Sequence, residues 1–235
     1  MMMGSVMQAY LEPDEIVDSD HPSVMAYARN LIGHTPPDDV QTAVTLYYAV
    51  RDDILYDPYV LSKNPEDYRA SETLARRRGF CVQKAALLCA LGRACNIASR
   101  LGFATVKNHL ASKQLIQYVG GNLFVFHGYT EFFLNGVWVK ATPAFNASLC
   151  ERHRVAPLEF DGRADSIFQP YNAEKQLFME YVEYYGEFST VPMTFMIETW
   201  TRFYGPEQVE KWFDPANIPR GGKRRDFYTE APIIP

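Results

Sequence analysis

The stretch FVFHGYTEFFLNGVWVKATP, residues 124–143, decides the fold. Asn135-Gly136 lies between two runs rich in β-branched and aromatic residues. That is the signature of a type I′ hairpin, because both turn positions need a positive φ. A two-residue loop there pairs Leu134 with Val137, Phe133 with Trp138, Phe132 with Val139, Glu131 with Lys140, Thr130 with Ala141 and Tyr129 with Thr142. Side chains alternate along a strand, so His127, Tyr129, Glu131 and Phe133 share one face with Trp138, Lys140 and Thr142. Thr142 becomes a diagonal neighbour of His127, roughly 7–8 Å away between backbones and within reach of a side-chain hydrogen bond.

Upstream, RRRGFCVQKAALLCALGRACN (76–96) reads as a turn followed by a long apolar helix. Gly79 and Phe80 interrupt a short helix in SETLARRR (71–78), Cys81 opens the apolar one, and Asn96 suits a left-handed C-terminal cap. Further back, a helix is predicted from His21-Pro22-Ser23, with Asp20 as its cap, toward Gly33. Pro36 and Pro37 open a second, with Val40, Val44, Tyr47 and Tyr48 on one face and an end near Asp53. A strand around Leu101–Val106 leads to the hairpin. Beyond Pro143, QLFMEYVEYYGEFS (176–189) reads as strand and turn, and MTFMIETWTRFYG (193–205) and PEQVEKWF (206–213) as helices. Helices followed by strands, with no βαβ alternation and no glycine-rich phosphate loop, give an α+β fold.

The whole 235-residue chain is expected to be one domain, with a core over 40–146, an elaboration over 147–213 and an extended tail over 214–235 that could dock on another subunit, so a homo-oligomer stays open. It is long enough to bury roughly 70% of its unfolded surface. Lys plus Arg number 23 against 28 Asp plus Glu, a net charge of −5, which argues against nucleic acid as a partner. No apolar run approaches the roughly 18–20 residues of a membrane helix. The start, MMMGSVMQAYLEPDE, has no basic and no apolar region of a secretory signal. The four cysteines, Cys81, Cys89, Cys95 and Cys150, are too sparse for a disulfide framework and form no C-x-x-C pair. Reduced thiols in a cytoplasmic protein, with no metal and no cofactor, are the expectation.

Cys81 is the candidate nucleophile. At a helix N-terminus, unpaired N–H groups and the helix dipole favour a thiolate, and Arg76, Arg77 and Arg78 add positive potential. The plain alternative is a cysteine packed as a small hydrophobe, which is the reading for Cys89 and Cys95. His127 is the candidate base. Thr142 Oγ1 could accept from one ring nitrogen and fix the tautomer, leaving the other nitrogen to face the cysteine. The alternative is a satisfied strand histidine beside an ordinary β-former. Asn108-His109 reads as a loop cap and Asp161-Gly162-Arg163 as a turn.

From Val40 to Asn146 the sequence resembles the core of the transglutaminase-like superfamily. The resemblance rests on Gly79-Phe80-Cys81, Asn96-Ile97-Ala98-Ser99-Arg100, Phe126-His127-Gly128-Tyr129 and Trp138-Val139-Lys140-Ala141-Thr142-Pro143, in that order. It implies a papain-like core, with a helical layer packed on an antiparallel sheet, and a Cys81, His127, Thr142 catalytic set. The implied chemistry is attack by Cys81 on a small-molecule or peptide acyl substrate, or, in a diverged member, binding in the same cleft. Two departures stand out. The third position is usually Asp and here is Thr142, which stabilises an imidazolium less; Glu131, on the same strand face, could supply charge or simply pair with Lys140. The family's Gly-Ile-Pro-Ala-Arg, here Asn96-Ile97-Ala98-Ser99-Arg100, has lost its glycine and proline, which affects a turn rather than chemistry. In the family an upstream Trp or Gln often supplies a second oxyanion donor, but no Trp precedes Trp138 here; Tyr56 and Tyr68 are substitutes, and Gln83 lies too far into the helix.

Overall fold

The computed structural model describes residues 7–33, 38–109, 111–168, 178–214 and 227–230. Helices α1 (Pro22–Ile32) and α2 (Asp39–Asp53) come first. The cap of α1 is His21 rather than Asp20, since the His21 imidazole accepts from the Ser23 N–H. Asp38 caps α2, accepting from the Gln41 N–H at 2.8 Å. Pro36 and Pro37 lie outside the described residues. The buried stripe of α2 is Ala43, Leu46, Tyr47 and Val50; Val40, Val44 and Tyr48 sit at its margin, so the expected face is rotated toward Leu46.

Two-residue strands β1 (Leu55–Tyr56) and β2 (Arg78–Gly79) pair in parallel, with helix α3 (Ala70–Arg76) between them in the chain. Helix α4 (Cys81–Ala94) follows, and every residue from Cys81 to Arg93 is buried. A helix covered on all sides needs no polar stripe, which explains its unbroken apolar run. Its basic residues are turned to backbone carbonyls instead. Lys84 Nζ donates to Arg51 O at 3.0 Å and Ile54 O at 2.5 Å, where α2 ends. Burial holds this amine well below the usual lysine range. Asn146 Nδ2 also donates to Ile54 O, at 2.9 Å, and its Oδ1 accepts from the Tyr56 N–H at 2.7 Å. The end of α2 and strand β1 are thereby fixed to α4.

Strand β3 (Ser99–Asn108), helix α5 (Lys113–Val119), the hairpin β4 (Leu123–Leu134) and β5 (Val137–Ala141), helix α6 (Ala147–Arg152), strand β6 (Met179–Phe188) and helices α7 (Met193–Tyr204) and α8 (Pro206–Phe213) complete the fold. The long strands form one antiparallel sheet in the order β5-β4-β3-β6, and the fold is α+β. Asn135 and Gly136 have φ of 51° and 86°, and the hairpin pairs from Leu134↔Val137 to Thr130↔Ala141, the register the Asn-Gly turn dictates. Asn96, at φ 59°, takes the left-handed conformation just past α4. Where the tail is described, it is a docked turn rather than an extended strand: Phe227 packs on Tyr56 and His153, and Tyr228 Oη donates to Asn146 Oδ1. The rest of the tail lies outside the described residues. Among the described residues, no helix is long and apolar enough to cross a membrane.

Helix α4 lies along the face of β4 that carries the even-numbered residues. Thr130 Oγ1 donates to Ala85 O at 2.8 Å, and Phe132 lies so close to Gly92 that a Cβ there would come within 2.6 Å of its ring. At Gly128 the approach is backbone to backbone: a Cβ would stand 3.0 Å from Val82 Cα. This glycine is required for space. Gly128→Val should cost about 1–3 kcal/mol in urea denaturation, as overpacking does. An unchanged midpoint would mean that the contact is slack.

Candidate active site

Cys81 is the first residue of α4. The helix start is capped by its own third residue, as Gln83 Oε1 accepts from the Phe80 N–H at 3.2 Å and Gln83 Nε2 donates to Asp67 O at 2.7 Å. That occupies Gln83 and leaves it no role at the reacting centre. Strand β1 lies alongside, with Tyr56 opposite Gly79, two residues before the cysteine. The N–H groups of Gly128, Val82 and Cys81 itself all act on the sulfur.

His127 immediately precedes Gly128. Strand β4 carries one extra residue here: Ala104 pairs with His127 but Val106 pairs with Phe124, and Phe126 has φ 67°. Such a bulge re-aims the side chain beside it. The imidazole packs against Phe168 (ring centroids 5.4 Å) and Tyr181 (6.2 Å). Thr142, just beyond β5, is buried; the hairpin pairing ends at Thr130↔Ala141, so the expected Tyr129–Thr142 pair is not formed and the Thr142 N–H donates to Ser166 O at 3.1 Å instead. The expected hydroxyl–imidazole bond is not made either: His127 Nε2 and Thr142 Oγ1 are both buried without a partner.

The electrostatics correct the expectation of an activated thiolate. Cys81 is only 8% exposed, and burial pushes its thiol up to about 11; the three N–H groups offset part of that rise but not all of it. The arginines do not reach it. Arg76 pairs with Asp67 and Glu72, Arg77 lies over the Tyr27 ring and Arg78 pairs with Asp57. Burial lowers His127 to about 3. The resting pair is thus a neutral thiol and a neutral imidazole. Glu131 lends no charge to it: its buried carboxylate is held by Arg100 at 2.6 Å and Lys140 at 3.3 Å, the cross-strand alternative.

Around the thiol stand aromatic side chains that sequence reasoning did not bring together. Tyr56, Tyr68, Tyr181 and Tyr204 all lie near enough for a Cys81 thiolate to raise their own pKa. Tyr68 is committed elsewhere, donating to Ser62 O at 2.8 Å, so of the two substitute oxyanion donors Tyr56 is the better placed. Tyr181 and Phe168 were missed altogether; both come from segments that reach His127 only through long-range packing. His109 pairs with Glu180 at 2.5 Å and Asp161 Oδ1 accepts from the N–H groups of Arg163 and Ala164, both local structural roles. A small apolar pocket of about 30 Å³ lies beside the site and is lined by Phe145, Leu149, Phe178 and Phe227 among others. Phe145 also touches Tyr56 and Phe168, so pocket and site share a wall.

The depressed value of His127 has a stability consequence. An unfolded histidine binds its proton near 6.5, whereas the folded one resists until about 3. The stabilisation is complete above about pH 6.5 and is lost as pH falls toward 3. Urea denaturation of the native protein and of His127→Gln at pH 7, 5.5 and 4 should show the native protein losing about 1.4 kcal/mol more per pH unit below 6.5. Parallel losses in the two proteins would contradict the burial of a neutral imidazole.

The transglutaminase-like superfamily core model matches residues 26–143, half of the chain. No curated protein matches. Among solved structures, a candidate cysteine protease from Cytophaga hutchinsonii is 17% identical, with a TM-score of 0.44 over 76% of this chain and 53% of that one. A candidate protease from Parabacteroides distasonis is 13% identical, with a TM-score of 0.39 over 58% of this chain and 26% of that one. The chain therefore spans about half the length of the first and a quarter of the second. From the match over 26–143, this chain belongs to the transglutaminase-like superfamily.

Proposed function

We propose that the protein is a cysteine-nucleophile enzyme that acts on an amide or thioester through an acyl-enzyme on Cys81. The observation that supports this reading is the place of Cys81 at the start of the buried helix α4, where a Cβ on Gly128, the residue after His127, would meet the backbone of the first turn. In the reaction His127 takes the thiol proton as the sulfur attacks the acyl carbon. The carbonyl oxygen becomes an oxyanion, received by the Cys81 N–H with Tyr56 as a second donor. The C–N or C–S bond then breaks, and His127 returns the proton to the leaving group. Water resolves the thioester to an acid, and an amine resolves it to a new amide. Because both partners rest neutral, the proton moves with the attack and no ion pair is stored beforehand. The pocket beside Phe145 suits a small apolar acyl group.

A second reading has its own support. The thiol is buried, and the carboxylate usual at position 142 is missing, as in a diverged member that keeps the cleft for binding. Activated esters and thioesters of increasing chain length, followed by intact mass measurement and peptide mapping, separate the two. The enzyme reading expects one acyl adduct, on Cys81, absent in Cys81→Ser and slowed by about 10²-fold or more in His127→Ala. Adducts on half-exposed Cys95 in place of Cys81, or equal rates with and without His127, would overturn it in favour of the binding reading.

A further inference from the structure

Among the described residues, five buried side-chain polar atoms lack a hydrogen bond: Glu131 Oε1, which keeps its ion pair with Lys140, and His127 Nε2, Thr142 Oγ1, His153 Nε2 and Tyr181 Oη. Three of the five belong to one place. The rings of His127 and Tyr181 are 6.2 Å apart between centroids and inclined at 71°. The Tyr181 hydroxyl faces Thr142 Oγ1 and the Phe168 N–H without closing a bond to either. Thr142 lies one position beyond Thr130↔Ala141, the last pair of the hairpin. A lone buried hydroxyl or ring nitrogen costs about 1–3 kcal/mol, so three side by side are expensive unless they act together. No carboxylate or guanidinium acts on the imidazole; burial alone sets its pKa. The titratable groups on its side of the sheet are Tyr129 and Glu131 from β4, Arg100 from β3, Lys140 from β5, and Tyr181, Tyr184 and Glu187 from β6.

We infer that Tyr181 is a positioning residue for His127: its hydroxyl and that of Thr142 form a charge-free pair behind the imidazole, in place of a carboxylate. This rests on the reading of His127 as the base. Small rotations of the two hydroxyls complete a chain in which Nε2–H donates to Thr142 Oγ1 and the Thr142 hydroxyl donates to Tyr181 Oη. That arrangement fixes the Nε2–H tautomer and leaves Nδ1 to accept the Cys81 proton. A hydroxyl pair orients the ring but adds no negative charge, which agrees with a site that rests neutral. The pair also joins β6 to the hairpin at the reacting centre, so the segment beyond the family core contributes to the site.

The test reads the ring directly. Nitrogen-15 spectra of the histidines in the ligand-free protein should show His127 as a single Nε2–H tautomer. In Tyr181→Phe, which keeps the aromatic packing, they should show a mixture, with a melting temperature close to native. Thr142→Asp should raise the His127 pKa by about 1–3 units, as an adjacent carboxylate does. The acylation rate of Cys81 should fall about tenfold in Tyr181→Phe, the equivalent of one net hydrogen bond. An unchanged tautomer and rate in Tyr181→Phe, with His127→Ala still impaired, would overturn the inference and leave the proposed function standing. A shifted tautomer in Tyr181→Phe, with Cys81 inert in the native protein, would support the positioning role and sink the catalytic reading instead.

Discussion

The pass of strand β4 over the first turn of α4 governs the rest of the molecule. Gly128 lies against the Val82 backbone so closely that an added Cβ would stand 3.0 Å from Val82 Cα and force the helix to give. That contact sets Gly128, and with it the preceding residue His127, against the first turn of the helix that Cys81 opens. The neighbouring structure holds the two elements in place. Lys84 and Asn146 fix the end of α2 and strand β1 to the helix, Thr130 bonds Ala85 O, and Phe132 closes over Gly92. Moving the strand away by one methyl group would alter both the packing of the core and the surroundings of the thiol.

Both candidate residues are buried. Helix N-termini ordinarily favour a thiolate, and here three N–H groups are available, yet desolvation outweighs them and the thiol stays protonated. The imidazole is buried among Phe168 and Tyr181 and stays unprotonated. With a threonine where a carboxylate is usual, nothing behind the ring stabilises its charged form. Neutrality at rest is therefore a property of the whole site, and one consequence of it is that the only charged groups close by in sequence, the arginines before Gly79, serve local ion pairs and a ring contact.

Much of this was legible in the residues. The Asn135-Gly136 turn fixed the hairpin register from Leu134↔Val137 to Thr130↔Ala141, because a two-residue loop permits only one pairing. Gly79, Phe80 and Asn96 marked the two ends of the cysteine helix by backbone conformation alone. What was not legible depended on contacts between distant segments. Lys84 and Arg93 are buried caps for carbonyls, a role that exists only once α2 and the N-terminal loop are packed. Tyr181 sits in a strand that pairs with β3, some seventy residues earlier, across two register shifts. No local pattern sets such a register, so no reading of YVEYYGEF alone could aim that hydroxyl. The helix dipole and the arginine run pointed to an activated cysteine, and burial, which a sequence does not display, reversed the sign.

A crystal structure of the protein with Cys81 alkylated by a small amide reagent would test the central claim most directly. The account predicts that the modified sulfur remains beside the Gly128 N–H with His127 Nδ1 within about 3–4 Å of it, hydrogen-bond reach for this chemistry. A sulfur and an imidazole more than about 6 Å apart, or held on opposite faces of β4, would contradict it.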